Sequence, residues 1–167
     1  MPDKSTSTWE IPRSPTPRIV GGLFRCRNYI WENDHRLVEA HGLTWSQFLV
    51  VTELRGAGEA QMLAPTELME AAQVTSGGLT KMLHALTDAG LVERVPHTED
   101  KRSTLVRLLP KGAALAEEIV AELIKVNTEL FTSILSAEEC EELAVLLGKL
   151  RQGLEGKYGR GKYKPAK

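Results

Sequence analysis

Between Thr75 and Arg102 the chain concentrates side chains suited to gripping a polyanion and reading base edges. Ser76, Gly77, Thr80, Lys81 and His84 fall on one face of a helix, with Leu79, Leu83 and Leu86 on the other. Hydroxyls, an ammonium and an imidazole can bond phosphate oxygens and base edges, and glycine lets a backbone come close. Thr75 stands where it would cap that helix. Gly77 and Gly78 each cost a helix roughly 1 kcal/mol relative to alanine. They serve either close approach to a ligand or close packing against a neighbouring helix. Further on, Arg94, Lys101 and Arg102, with His97, surround a polar loop with positive charge. Glu99 and Asp100 oppose them unless they pair with a basic side chain and orient it.

A second group precedes these. Arg27, Trp31 and His35 repeat every four residues, and Trp45 opens the following helix. An aromatic wall with a positive group suits a small aromatic or phenolic anion; the same tryptophans can equally cover a core. Cys26 lies between Arg25 and Arg27, which would favour a thiolate open to oxidation, or it is a structural thiol. Cys26, Glu39 and His41 find no histidine in the helix after Pro110 to complete a zinc site, so no metal is expected. Phosphate loop, nucleophile elbow, HExxH and supported carboxylate pairs are all missing, so neither catalysis nor a cofactor is expected.

The elements that must hold these groups follow from period and punctuation. Residues 1–17 (with Trp9 and Ile11) read as an extended tail of Ser, Thr and Pro. Ile19, Leu23, Cys26, Ile30 and Leu37 form one stripe of a long helix that stops near Gly42. Thr44 caps a helix bearing Phe48, Leu49, Val51, Thr52 and Leu54, which stops before Gly56. Pro65 opens a short helix with Ala64 in a weak cap position, and Thr75 opens the next, closed by Gly90. Residues 91–95 and 103–108 alternate as two strands of a hairpin. After Pro110 a helix carries Leu115, Ile119, Leu123, Val126, Leu130 and Ile134 to about Ile134. Ser136 and Glu139 form a capping box for a last helix, with Leu143, Leu146, Leu147 and Leu150 inward and its end at Gly153 and Gly156. A basic tail closes the sequence from 157 to 167.

Composition permits this reading. The 167 residues are 42% hydrophobic and 26% charged, ordinary for a globular chain, and 5% aromatic, as helix packing on Leu, Val and Ala prefers. No apolar run approaches the roughly 18 residues of a membrane span, and no secretory pattern opens the chain, so a cytoplasmic protein is expected. Two distant cysteines make no disulfide framework. The net charge of −1 means that any affinity for nucleic acid must rest on local charge.

The order helix, turn, helix, hairpin is that of a winged helix-turn-helix. The run LMEAAQVTSGGLTKMLHALTDAGLVERVPHTEDKRSTLVRLLPKGAAL resembles the DNA-binding core of the MarR family, and with its flanking helices the resemblance spans roughly residues 19 to 153. It implies a mainly α fold with a small β-hairpin wing and a DNA-binding lobe at about 44–109. Helices at about 18–41 and 110–153 would dimerise, within a domain of 18–156. It implies that Thr80 and Lys81 touch phosphates and bases, lysine giving a point charge where arginine would give a fork. Asp100 would hold the wing by pairing with an arginine, and Arg102 would enter the minor groove. A homodimer would set its recognition helices about 34 Å apart and bind a near-palindromic duplex operator. The alternative is a winged helix that docks proteins without reading DNA, which an apolar recognition face would mark.

Overall fold

A serine before a proline decides where the first helix begins. In the computed structural model, which describes residues 14–72, 74–96 and 104–159, α1 runs Pro15–Ala40. The Ser14 hydroxyl accepts the Thr16 amide at 3.2 Å, and Pro15 takes a first-turn position where its missing N–H costs nothing. The expected tail is thus three residues too long, because Ser-Pro is a start signal even without an apolar face behind it. Val38 alone on this helix is fully buried. The expected stripe departs from the core at its start: Ile19, Leu23 and Cys26 are all exposed. Gly42, at φ 79°, turns the chain into the next helix.

Helix α2 (Trp45–Gly56) opens with a capping box: Thr44 N–H donates to Gln47 Oε1 at 2.8 Å, and Gln47 N–H returns to Thr44 Oγ1 at 3.3 Å. Phe48, Val50, Val51 and Leu54 are buried, so Val50 joins the expected apolar residues in the core. Burial on this much of the helix follows because α2 packs against α1, α3 and the sheet together.

The sheet has three strands in the order β1–β3–β2, all antiparallel. Strands β2 (Val92–Pro96) and β3 (Thr104–Leu108) form the expected hairpin, with Val92 opposite Leu108 and Pro96 opposite Thr104. Strand β1, Met62–Leu63, was not expected; two residues are too few to show a period of two. It lines up Leu63 with Val106 and so ties the loop after α2 to the hairpin.

Between β1 and β2 lie α3 (Pro65–Ala72) and α4 (Ser76–Asp88). Ala64 is indeed a poor cap, but Glu67 Oε2 reaches back to accept its N–H at 2.7 Å. Leu68, Ala72, Leu79, Leu83 and Leu86 turn inward and are buried with Leu91, Val92 and Val106. Each buried leucine or valine contributes roughly 1.5–3 kcal/mol. At the end of α4, Gly90 N–H bonds Thr87 O and Leu91 N–H bonds Leu86 O, both at 2.9 Å, with Gly90 at φ 69°. These two bonds make a Schellman closure at the glycine expected to end the helix.

Helix α5 (Pro110–Thr132) buries Gly112, Ala116 and Ile119 in its first turns. The chain divides within it: one compact unit extends to Ala121 and another starts at Glu122. The second unit holds the rest of α5 and α6 (Ala137–Tyr158). The Ser136–Glu139 capping box is present, with bonds of 2.8 and 3.2 Å. Two expectations for α6 are corrected. It continues through Gly153 and Gly156 to Tyr158, because only Gly159 adopts the positive φ (78°) that ends it. Its leucines are also not inward: no α6 residue is fully buried, and Leu146 is 63% exposed.

Candidate nucleic-acid interface

Helix α4 presents two unlike faces. Leu79, Leu83 and Leu86 fix it to the core, while Ser76, Gly77, Thr80, Lys81 and His84 are exposed on its other side. Its start is held by Thr75, whose hydroxyl accepts Gly78 N–H at 3.2 Å and can still donate outward. Thr80 Oγ1 donates to Ser76 O at 2.9 Å, leaving its oxygen lone pairs available as acceptors.

The two adjacent glycines differ. A methyl group at Gly78 would lie 3.4 Å from the Thr75 hydroxyl oxygen and 3.6 Å from Val74 Cβ. One at Gly77 would meet nothing within 4 Å, so intramolecular packing gives no reason for that glycine.

The far end of α4 is fixed by a residue that no local sequence pattern marks for this role. Lys111 Nζ donates to Ala89 O at 2.8 Å, placing a positive charge at the helix C-terminus, where the dipole favours it. The adjacent Gly112 allows the approach. A Cβ there would collide with the Leu91 carbonyl oxygen and come within 2.8 Å of Leu108 Cδ1. The Pro-Lys-Gly step thus fastens α5 to the end of α4 and the base of the hairpin.

On the hairpin, Arg94 is exposed. Arg107 stands opposite Glu93 and binds it through Nε at 2.7 Å and Nη2 at 2.5 Å. Asp100, Lys101 and Arg102, with His97 and Glu99, lie outside the described residues.

The second group does converge. Arg27, Trp31 and His35 on α1 meet Trp45 on α2. His35 stacks on Trp45 (4.8 Å, 14° between planes) and tilts against Trp31 (4.2 Å). Trp31 lies 5.1 Å from Trp45, and the Arg27 guanidinium carbon sits 4.7 Å above the Trp31 ring. Trp45 continues to the buried Phe48 at 5.3 Å. The rings therefore cover one another and join the core, while Trp31 keeps 39% of its surface exposed. His35 Nε2 is buried with no hydrogen-bond partner among the described residues. Cys26 is exposed on α1. Glu39 lies 13 residues further along that helix, about 20 Å at 1.5 Å per residue, so the two cannot share a metal ion. Among the described residues no three His, Cys, Asp or Glu side chains cluster to hold one.

A short helix, a capped second helix with a polar outer face and an antiparallel hairpin define a winged helix-turn-helix protein. Residues 41–103 match the model of the MarR family. The chain is 37% identical over 108 residues to the multiple antibiotic resistance protein MarR of Salmonella typhimurium, covering 65% of this chain and 73% of that one. A mutant MarR from E. coli complexed with operator DNA superposes with TM-score 0.59 at 33% identity, over 77% of this chain and 93% of the other. NadR in complex with 4-hydroxyphenylacetate does so with TM-score 0.60 at 25% identity, over 90% and 97%. The chain belongs to the MarR family, and it is a transcriptional regulator.

Proposed function

We propose that the protein is a homodimeric repressor that reads a near-palindromic operator with α4 and the hairpin wing and releases it in response to a small signal. The observation that carries this is the exposed row Ser76, Gly77, Thr80, Lys81 and His84 on a helix anchored at both ends. Thr75, Arg94, Lys101 and Arg102 are the further DNA contacts in this reading, with Asp100 as the wing-orienting residue. The related MarR bound to operator DNA supports the same use of the fold. A second copy covers the apolar side chains left open on α1 (Ile19, Val20, Phe24) and on α6 (Leu146, Leu147, Leu150, Leu154). The signal is a small aromatic or phenolic anion received at Arg27, Trp31, His35 and Trp45, as the 4-hydroxyphenylacetate complex of NadR supports. The protein acts in the cytoplasm and catalyses no reaction; no helix among the described residues is long and apolar enough to cross a membrane.

Genomic fragments selected with the purified protein supply the operator. Lys81→Ala and Arg102→Ala should then each weaken operator binding, by roughly 1–3 kcal/mol where the side chain bonds a base edge, with the dimer intact. Unchanged affinity in both would sink the assignment.

A further inference from the structure

Helix α5 is fastened to the winged lobe by polar contacts at two levels, both within the first compact unit. At its start, Lys111 Nζ donates to Ala89 O at 2.8 Å, and the Gly112 backbone passes close to the Leu91 carbonyl. Further along, Glu117 Oε1 accepts from Arg55 through Nε at 2.7 Å and Nη2 at 2.6 Å. Arg55 is in the last turn of α2, a helix that packs mainly on α1, α3 and the sheet. Lys111 and Glu117 stand roughly 9 Å apart along α5, at 1.5 Å of rise per residue.

A helix held at one point can pivot, and one held at two separated points has its direction fixed. Apolar packing at this joint is thin, because Gly112 and Ala116 bring little side chain to it and Ile119 is the large residue that α5 buries. The Arg55–Glu117 pair is half-exposed, at 44% and 58%, so it adds little to stability. What it supplies is direction, since it joins α2 to α5 across 62 positions of sequence.

We propose that the Arg55–Glu117 pair positions the winged lobe on α5 and so sets the separation of the two α4 helices in the dimer, and with it the half-site spacing the dimer accepts. This rests on the homodimeric DNA-binding reading above, and neither residue touches DNA in it. Helix α5 is the connection from the lobe to α6, whose apolar side chains the second copy is proposed to cover. A change of angle at the joint is therefore carried into the distance between recognition helices. One added base pair moves a half-site by about 3.4 Å and turns it by about 35°. A joint held at two points rejects that change, and a joint held at one tolerates it.

The test uses the full chain, its Arg55→Gln and Glu117→Gln variants, and the exchanged pair Arg55→Glu, Glu117→Arg. Each is titrated with the selected operator and with versions one base pair longer or shorter at the centre. The wild type should bind the altered spacings roughly tenfold more weakly. In either single variant that ratio should fall by about threefold, through weaker binding to the selected operator as preorganisation is lost. The exchanged pair should restore the ratio even though its carboxylate at the C-terminus of α2, disfavoured by the helix dipole, lowers Tm. A merely structural role would move the ratio and Tm together. A wild type indifferent to spacing, an unchanged ratio in both single variants, an equal loss on all three duplexes, or an exchanged pair no better than the singles would overturn the proposal.

A second measurement needs no DNA. In a Cys26→Ser, Cys140→Ser background, a nitroxide on Glu70→Cys, exposed on α3, reports the distance between the two lobes of the dimer. The distance distribution should broaden in Arg55→Gln and narrow again in the exchanged pair, and equal widths would overturn the proposal. If this broadening is seen but the wild type prefers no duplex, the proposed function fails while the positioning role stands. A monomeric wild type would sink both.

Discussion

Gly77 and Gly112 are the same residue type with opposite reasons for being there. At Gly77 an added methyl group has open space, and the helix would gain by it. Gly77→Ala should therefore stabilise the free protein by about 1 kcal/mol and raise Tm by about 2–4 °C. If α4 approaches DNA as closely as proposed, the same change should weaken operator binding. A more stable protein with undiminished affinity would show that clearance is not needed at Gly77. Gly112→Ala should instead lower Tm, since the Cβ would collide with the Leu91 carbonyl oxygen, a backbone atom that accepts the Leu109 N–H. The sequence distinguishes neither case: a pair of glycines in a first turn announces a cost, and only the neighbouring atoms say what it is for. The outer face of α4 was legible because hydrophobic spacing fixes which side is buried. Lys111 was not, because its partner is a backbone carbonyl 22 positions earlier, and no local pattern records that.

Helix starts capped by a hydroxyl ahead of an apolar stripe were easy to read. Thr44, Thr75 and Ser136 all cap as expected, since a short hydroxyl side chain followed by a partner three residues on is a local signal. The end of α6 falls beyond both Gly153 and Gly156, because glycine permits a stop without imposing one. Holding α4 at both ends has an energetic consequence. Lys111→Ala should cost stability, roughly 0.3–1 kcal/mol for a charge at a helix terminus. Thr75→Ala should cost about 1 kcal/mol. In urea titrations the double variant should lose the sum of the two if the ends act independently, and a shortfall would mean that they are coupled through the helix.

For the whole molecule, the burial pattern separates what one chain completes from what it leaves open. The core around α2, α4 and the sheet closes on itself, with Val50, Leu54, Leu68 and Leu86 at 0% exposure. Helix α6 has no fully buried residue, although its leucines recur with helical spacing. Periodicity alone shows that such a face is apolar; it does not say whether the same chain or another covers it. With a second copy proposed as the cover, Leu147→Glu should yield monomers or insoluble protein in sedimentation measurements. A well-folded dimer like the wild type would contradict the interface.

The ring stack between α1 and α2 also makes the molecule its own reporter. Two of its three tryptophans, Trp31 and Trp45, share that stack with an imidazole and a guanidinium nearby, so their emission depends on how the two helices lie together. Replacing Trp9 with phenylalanine leaves these two as the only indole fluorophores. A candidate effector, or an operator duplex, can then be scored by the colour and yield of native fluorescence, with no label attached.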